Sequence, residues 1–104
     1  MRRGEVWWAV LPSPVGQRPV IILTRNSVLK TIDSLVVCLV TRTIRGVPSE
    51  VVLGKPEGLP TRCAANLDNL LTVPRTRLQR LMGSCDSRKL EELNAALRFA
   101  LEVP

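Results

Sequence analysis

Three short stretches hold the residues whose types and spacing could do chemistry. Arg18 stands between Gln17 and a proline. Thr41, Thr43 and Arg45 alternate hydroxyl and guanidinium beyond an apolar run, and Asn66 is followed two places on by Asp68. On one rim they would join a guanidinium, hydroxyls and a carboxylate, enough to hold a phosphodiester. Cleavage of an RNA backbone by its own 2′-hydroxyl needs help with deprotonation, with charge on the phosphorane oxygens and with the leaving group. A fixed guanidinium can supply the second, worth ~3–4 kcal/mol by comparison with other preorganised donors. Asp68 or Glu5 could act as base if its surroundings raised its pKa. The ordinary readings compete: a solvated arginine at a strand end, hydroxyls bonded to nearby backbone, and a turn aspartate.

The absences narrow the field. Histidine and tyrosine are missing, which removes the side chain most used for acid–base work and the commonest zinc ligand. Cys38, Cys63 and Cys85 form no metal-ligand spacing and leave one unpaired under any disulfide scheme, so reduced thiols are expected. No phosphate-binding glycine loop or dinucleotide fingerprint occurs. The expected chemistry uses neither metal nor cofactor. Charge points to the partner: 15 Lys and Arg against 9 Asp and Glu give +6, which favours nucleic acid or an acidic protein. Two tryptophans and one phenylalanine are too few for an extended base-stacking platform.

The elements that must position these residues follow from the apolar pattern. Glu5 to Leu11 has the aromatic and β-branched content of a first strand, broken by Pro12, Pro14 and Gly16. From Gly16 to Thr24, a loop glycine and a proline precede Val20-Ile21-Ile22-Leu23, the look of a central strand buried on both faces. Arg18 stands at its mouth. A short helical turn is expected at Arg25–Lys30 with Asn26 as N-cap, then a second fully apolar strand at Ser34–Thr41. Further strands are expected at Ser49–Leu53, Arg62–Leu67 and Leu78–Ser84, with a turn at Asp68 and a brief helical link near Pro74–Leu78. Asp86 caps the one convincing helix, in which Leu90, Leu93, Leu97 and Leu101 recur at three- and four-residue steps up to Pro104. At 104 residues this reads as one mainly β domain, a small bent barrel with a C-terminal helix. No apolar run approaches the ~18 residues that cross a bilayer, and no apolar leader follows Met1, so a cytoplasmic location is expected.

Taken together, Arg3-Gly4-Glu5-Val6-Trp7, Gly16-Gln17-Arg18-Pro19 with its apolar strand, Val40 to Gly46, Glu50 to Leu53, Gly58-Leu59-Pro60 and Asn66 to Leu70 resemble, in order and spacing, the MazF/PemK family. These are toxins of type II toxin–antitoxin systems, and the likeness runs over nearly the whole chain. It implies an SH3-like barrel of the MazF/CcdB kind, a homodimer, and metal-independent cleavage of single-stranded RNA (mRNA, tRNA or rRNA) at short motifs. The ends left would be a 2′,3′-cyclic phosphate and a 5′-hydroxyl. The family's catalytic pair matches Arg18 and Thr41 here, the first for transition-state charge and the second for phosphate positioning. Asp68 and Glu5 are the supporting candidates. Gly16, Gln17, Thr43, Arg45 and Asn66 are expected to bind RNA in a groove at the dimer interface. The resemblance also implies an antitoxin whose acidic, partly disordered C-terminal tail covers that groove, which suits the +6 charge.

Two departures from the family pattern stand out. The loop between Leu11 and Arg18 is short and lacks the acidic segment many members carry there, and Asn66 occupies a place where some relatives have arginine. Both shift the burden toward Arg18. Two other readings remain open on these residues: a non-enzymatic CcdB-like toxin that binds DNA gyrase, and a plain SH3-like binding module. The first needs an exposed apolar or aromatic C-terminal anchor, and Arg98 to Pro104 contains no tryptophan.

Overall fold

Apolar and β-branched segments build six strands, β1 (Glu5–Val10), β2 (Gln17–Ile22), β3 (Ser34–Thr41), β4 (Glu50–Leu53), β5 (Cys63–Pro74) and β6 (Leu78–Ser84), followed by one helix, α1 (Ser87–Leu101). This is a computed structural model, and it describes all residues from Met1 to Pro104. All strands join one antiparallel sheet in the order β4-β5-β3-β2-β1-β6. The sheet bends far enough to be barrel-like without closing through a strand ladder. Its two outer ends meet through glycines: a Cβ on Gly58, in the turn after β4, would lie 2.2 Å from the Met82 carbonyl oxygen, and one on Gly83 in β6 would lie 2.3 Å from that of Glu57. Only glycine permits that approach.

The bend makes the central strands apolar on both faces, because each face meets its own core. Val20 and Ile22 of β2, with Leu35, Val37 and Leu39 of β3, join Ala9, Leu11, Leu29, Val73 and Leu78 on one side. Ile21 and Leu23, with Cys38 and Val40, join Val6, Val51, Leu53, Leu67, Leu93 and Ala96 on the other, beneath α1. Burial of such side chains is worth ~1.5–3 kcal/mol each, so a one-residue slip that exchanges the faces is strongly opposed.

Two arginines fasten loops to this core. Arg3 donates from Nε to the Leu23 carbonyl at 2.9 Å and from Nη2 to Asn94 Oδ1 at 2.8 Å, which ties α1 to the end of β2. Arg75 donates from Nε and Nη2 to the Ile32 carbonyl at 3.2 and 3.0 Å, and from Nη2 to the Leu29 carbonyl, holding the β2–β3 connection.

Several details differ from the sequence reading, each for a local reason. Asn26 does not cap the 3₁₀ turn at Asn26–Val28; its Oδ1 accepts the Arg3 N–H at 2.6 Å instead. The short strand expected at Arg62–Leu67 does not end in a turn at Asp68 but runs on as one 12-residue strand, β5, which bulges. There Cys38 faces Leu70 while Leu39 faces Asn66, so Leu67, Asp68 and Asn69 are looped out without ending the strand. α1 stops at Leu101, short of the expected Pro104, with Glu102 in the left-handed region at φ 55°, and Phe99 and Leu101 are 59% and 53% exposed. Asp86 does cap α1, accepting from the Lys89 N–H at 2.9 Å. No helix is long and apolar enough to cross a membrane.

Candidate active site

The sheet parts where β2 and β3 leave one another. Their ladder pairs Ile22 with Val37, Ile21 with Cys38 and Val20 with Leu39, and there it ends. Pro19 offers no N–H to continue it. Beyond that point β2 runs on against β1, with Pro19 facing Trp8 and Arg18 facing Ala9, while β3 runs on against β5, with Thr41 facing Ala64. Carried two residues further, the β2–β3 register sets Arg18 level with Thr41 across the gap.

The gap is a cleft of about 390 Å³ lined by Trp8, Gln17, Arg18, Pro19, Val40, Thr41, Arg42 and Thr43. A narrower apolar recess of about 100 Å³ adjoins it, sharing Trp8, Pro19, Val40, Thr41 and Arg42 and adding Leu59 and Met82. No carboxylate lines either part. The chain's one salt bridge, Lys89 to Glu92 at 3.3 Å, lies on α1, so Arg18 and Arg42 face the cleft with their charge unneutralised by any carboxylate.

Arg18 is half-buried, and its Nε is the one buried side-chain nitrogen or oxygen in the chain without a hydrogen-bond partner. An unpaired buried donor costs about 1–3 kcal/mol, more on a charged group, so an orphan of this kind in a folded protein calls for an explanation. No hydrogen bond engages the rest of the Arg18 guanidinium, which borders the cleft and is free to meet an acceptor there. Thr41 faces it with a defined hydroxyl: its Oγ1 accepts the Thr43 N–H at 3.2 Å, which leaves its own proton free to donate. A phosphate between the two would receive a guanidinium on one side and a hydroxyl on the other.

The sequence candidates divide accordingly. Gln17, Arg18, Thr41 and Thr43 meet at the cleft. Gly16 lies one residue outside it at φ +71°, in open space, so its glycine serves the turn into β2. Arg45 is exposed on the loop that carries Arg42 and Thr43, beyond the lining. Glu5 stands apart: it begins β1 opposite Ser84, four residues from Ala9, the partner of Arg18, which is roughly 13 Å along a strand. Its Oε1 accepts from the Arg2 N–H at 2.8 Å and from Trp7 Nε1 at 3.0 Å. Asp68, in the β5 bulge, accepts from Ser49 Oγ at 2.5 Å, and Asn66, 7% exposed, spends its Oδ1 on the Asp68 N–H at 3.0 Å. Those two fasten a bulge, and neither lines the cleft.

Trp8, Arg42, Leu59 and Met82 line the site and were missed by sequence reasoning. Trp8 had a signal, since adjacent tryptophans in a strand must point to opposite faces and one of them must leave the core that takes the other. Arg80, opposite Trp8 on β6, places its guanidinium carbon 6.0 Å from the Trp8 ring centroid and extends the basic rim. Leu59 and Met82 had none, because the Gly58–Gly83 approach that brings them there is tertiary. Cys63 also borders the recess, but burial first and the Glu57 carboxylate second push its thiol up, which keeps it protonated and a poor nucleophile.

Fold and site together define a small basic barrel with a cleft between two parted strands, lined by two arginines and two threonines and by no carboxylate. The chain belongs to the PemK/MazF family: residues 2–101 match the family described as PemK-like, MazF-like toxin of type II toxin-antitoxin system. It is 42% identical over 99 residues, 94% of this chain and 95% of the relative, to the probable endoribonuclease MazF2 of Mycobacterium tuberculosis. The probable endoribonuclease MazF5 of the same species is 35% identical over 96% of this chain and 92% of its own length. Among solved structures, Mycobacterium tuberculosis toxin MazF-mt6 superposes with a TM-score of 0.89 at 29% identity, covering 96% of this chain and 98% of its own. An endoribonuclease from Mycobacterial species, solved in complex with its cognate antitoxin, gives 0.87 at 26% identity over 100% of this chain and 97% of its own.

Proposed function

We propose that this protein, a MazF-type endoribonuclease toxin of a toxin–antitoxin system, cleaves single-stranded RNA in the Arg18–Thr41 cleft without a metal. The substrate's 2′-hydroxyl gives its proton to water as its oxygen bonds to the adjacent phosphorus, the bond to the departing 5′-oxygen breaks and that oxygen takes up a proton from water, so the products carry a 2′,3′-cyclic phosphate and a 5′-hydroxyl. Arg18 offsets the charge that grows on the phosphorane oxygens, where a preorganised donor is worth about 3–4 kcal/mol. Thr41 donates a hydrogen bond from its hydroxyl to a phosphate oxygen and fixes the scissile group against Arg18. Arg42, Thr43 and Gln17 bind the flanking backbone. No carboxylate faces the cleft, so positioning and charge carry the rate on this chain. The working unit is a cytoplasmic homodimer with its RNA groove at the subunit interface, silenced by an antitoxin whose acidic tail occupies the same basic cleft. The observation that carries this reading is the buried, unpartnered Nε of Arg18 beside a gap that register sets opposite Thr41.

The test uses purified protein, a long transcript and EDTA, with the new 5′ ends sequenced. Wild type should cut at a short recurrent motif and leave 5′-hydroxyls, while Arg18→Ala and Thr41→Ala variants should lose most cleavage yet fold. Cleavage that needs a divalent metal, or survives in Arg18→Ala, would overturn the proposal. The gyrase-binding alternative is disfavoured by the family match and by the cleft itself.

A further inference from the structure

The loop from Arg42 to Ser49 brings Arg42 and Thr43 into the cleft, yet its residues belong to no strand and most are exposed. An exposed irregular segment holds a shape only where specific bonds fix it. Here the fixing group is a carboxylate outside the cleft. Glu50, half-buried at the start of β4, accepts with its Oε1 from the Arg45 N–H at 2.8 Å and from the Gly46 N–H at 3.1 Å. Its own N–H donates to the Val47 carbonyl at 3.0 Å, so the loop is folded around this side chain. The loop base is anchored separately: Ser49 donates from Oγ to Asp68, and its carbonyl accepts the Leu67 N–H at 2.9 Å. At the other end the Thr43 N–H orients the Thr41 hydroxyl at 3.2 Å.

We infer that Glu50 is a positioning residue for RNA cleavage: by gathering the Arg45 and Gly46 amides it sets the loop that places Arg42 and Thr43 in the cleft and, through the Thr43 N–H, aims the Thr41 hydroxyl. This rests on the nuclease reading above. Glu50 makes no hydrogen bond to a cleft-lining side chain and acts through the backbone it holds. An oxygen acceptor is what the geometry asks of it, so a carboxamide should serve nearly as well as a carboxylate.

The experiment pairs Glu50→Ala and Glu50→Gln. It measures kcat and KM on a single-stranded RNA oligonucleotide and amide hydrogen exchange in the full chain. Glu50→Ala should lower kcat/KM by roughly ten- to a hundredfold, the scale of a small misplacement of catalytic groups. It should also speed exchange at Arg45 and Gly46 while the β3 and β5 amides keep their protection. Glu50→Gln should recover most of both. The inference is overturned if Glu50→Ala frees the loop amides without loss of activity, or leaves them protected. It is equally overturned if Glu50→Gln is as inactive as Glu50→Ala, since charge rather than the hold would then matter. Should Glu50→Ala unfold β3 and β5, Glu50→Gln decides alone. A wild type inert toward RNA would refute the nuclease reading, and the exchange arm would still report whether Glu50 holds the loop.

Discussion

The two ends of β2 carry guanidiniums in opposite circumstances. Beside its C-terminal end, Arg3 is committed through Nε and Nη2 to the Leu23 carbonyl and Asn94, and Glu5 close by is occupied by the Arg2 amide and the Trp7 indole. Near its N-terminal end, Arg18 keeps a buried Nε with no partner, and no carboxylate lines the cleft in front of it. The same side chain is therefore a fastener at one end and, in the function proposed above, a binding group at the other. A satisfied guanidinium has its donors spent on the fold. An unsatisfied one retains them, at a cost to stability that a bound acceptor would remove.

Several substitutions break this contrast or sharpen it. The largest effect should come from Arg18→Ala: kcat should fall about 10²- to 10³-fold, while the thermal midpoint holds or rises, because a buried unpaired donor is removed. Arg18→Lys should rescue little, since an ammonium lacks the planar fork. Arg75→Ala should show the converse. Loss of its bonds to the Leu29 and Ile32 carbonyls should cost about 2–3 kcal/mol and lower the midpoint by about 10 °C. Cleavage per folded molecule should persist in the cold. A midpoint unmoved in Arg75→Ala, or a drop in Arg18→Ala as large as in Arg75→Ala, would erase the distinction.

A gentler probe is salt. If the cleft and its basic rim neutralise about four phosphates, the logarithm of RNA affinity should fall against the logarithm of salt with a slope of about −3, while the unfolding midpoint moves little. An affinity indifferent to ionic strength would count against the cleft as the RNA site. The smallest effect is expected of Glu5→Gln, which stands at the satisfied end. It should alter stability by less than about 1 kcal/mol and leave the pH profile and rate of cleavage alone. A large loss of kcat there would restore Glu5 to the chemistry and require a geometry this chain does not have.

Much of the framework was legible in the residues. Val20 to Leu23 and Leu35 to Val40 are apolar without alternation because both faces are covered. Asp86 sets the start of α1, and Leu90, Leu93 and Leu97 mark its buried face with Ala96, whereas Leu101, also in the expected stripe, is 53% exposed. The candidate site was legible in part. Arg18, Gln17, Thr41 and Thr43 lie close together because the register of two adjacent antiparallel strands puts them there, and register follows from the apolar pattern. Asp68 and Asn66 looked equally promising on paper and lie instead in a bulge, which a period-of-two pattern does not announce. Glu5 shares a strand pair with Arg18 but sits at its far end, a matter of strand direction rather than residue type.

What the chain's letters settled alone was the inventory: which groups could hold a phosphate, which strands and helix must form, and the family to which their order belongs. Only the folded arrangement decided which of those groups were already spent. Arg3 meets Asn94 across 91 positions and Arg75 meets Leu29 across 46, and no local rule foretells either meeting. Hydrogen-bonding capacity is a property of a side chain, whereas its satisfaction belongs to whatever the fold sets within 3 Å or so of it. That is why twelve arginines look alike in the sequence and one of them stands out in the structure with a buried nitrogen still unpaired.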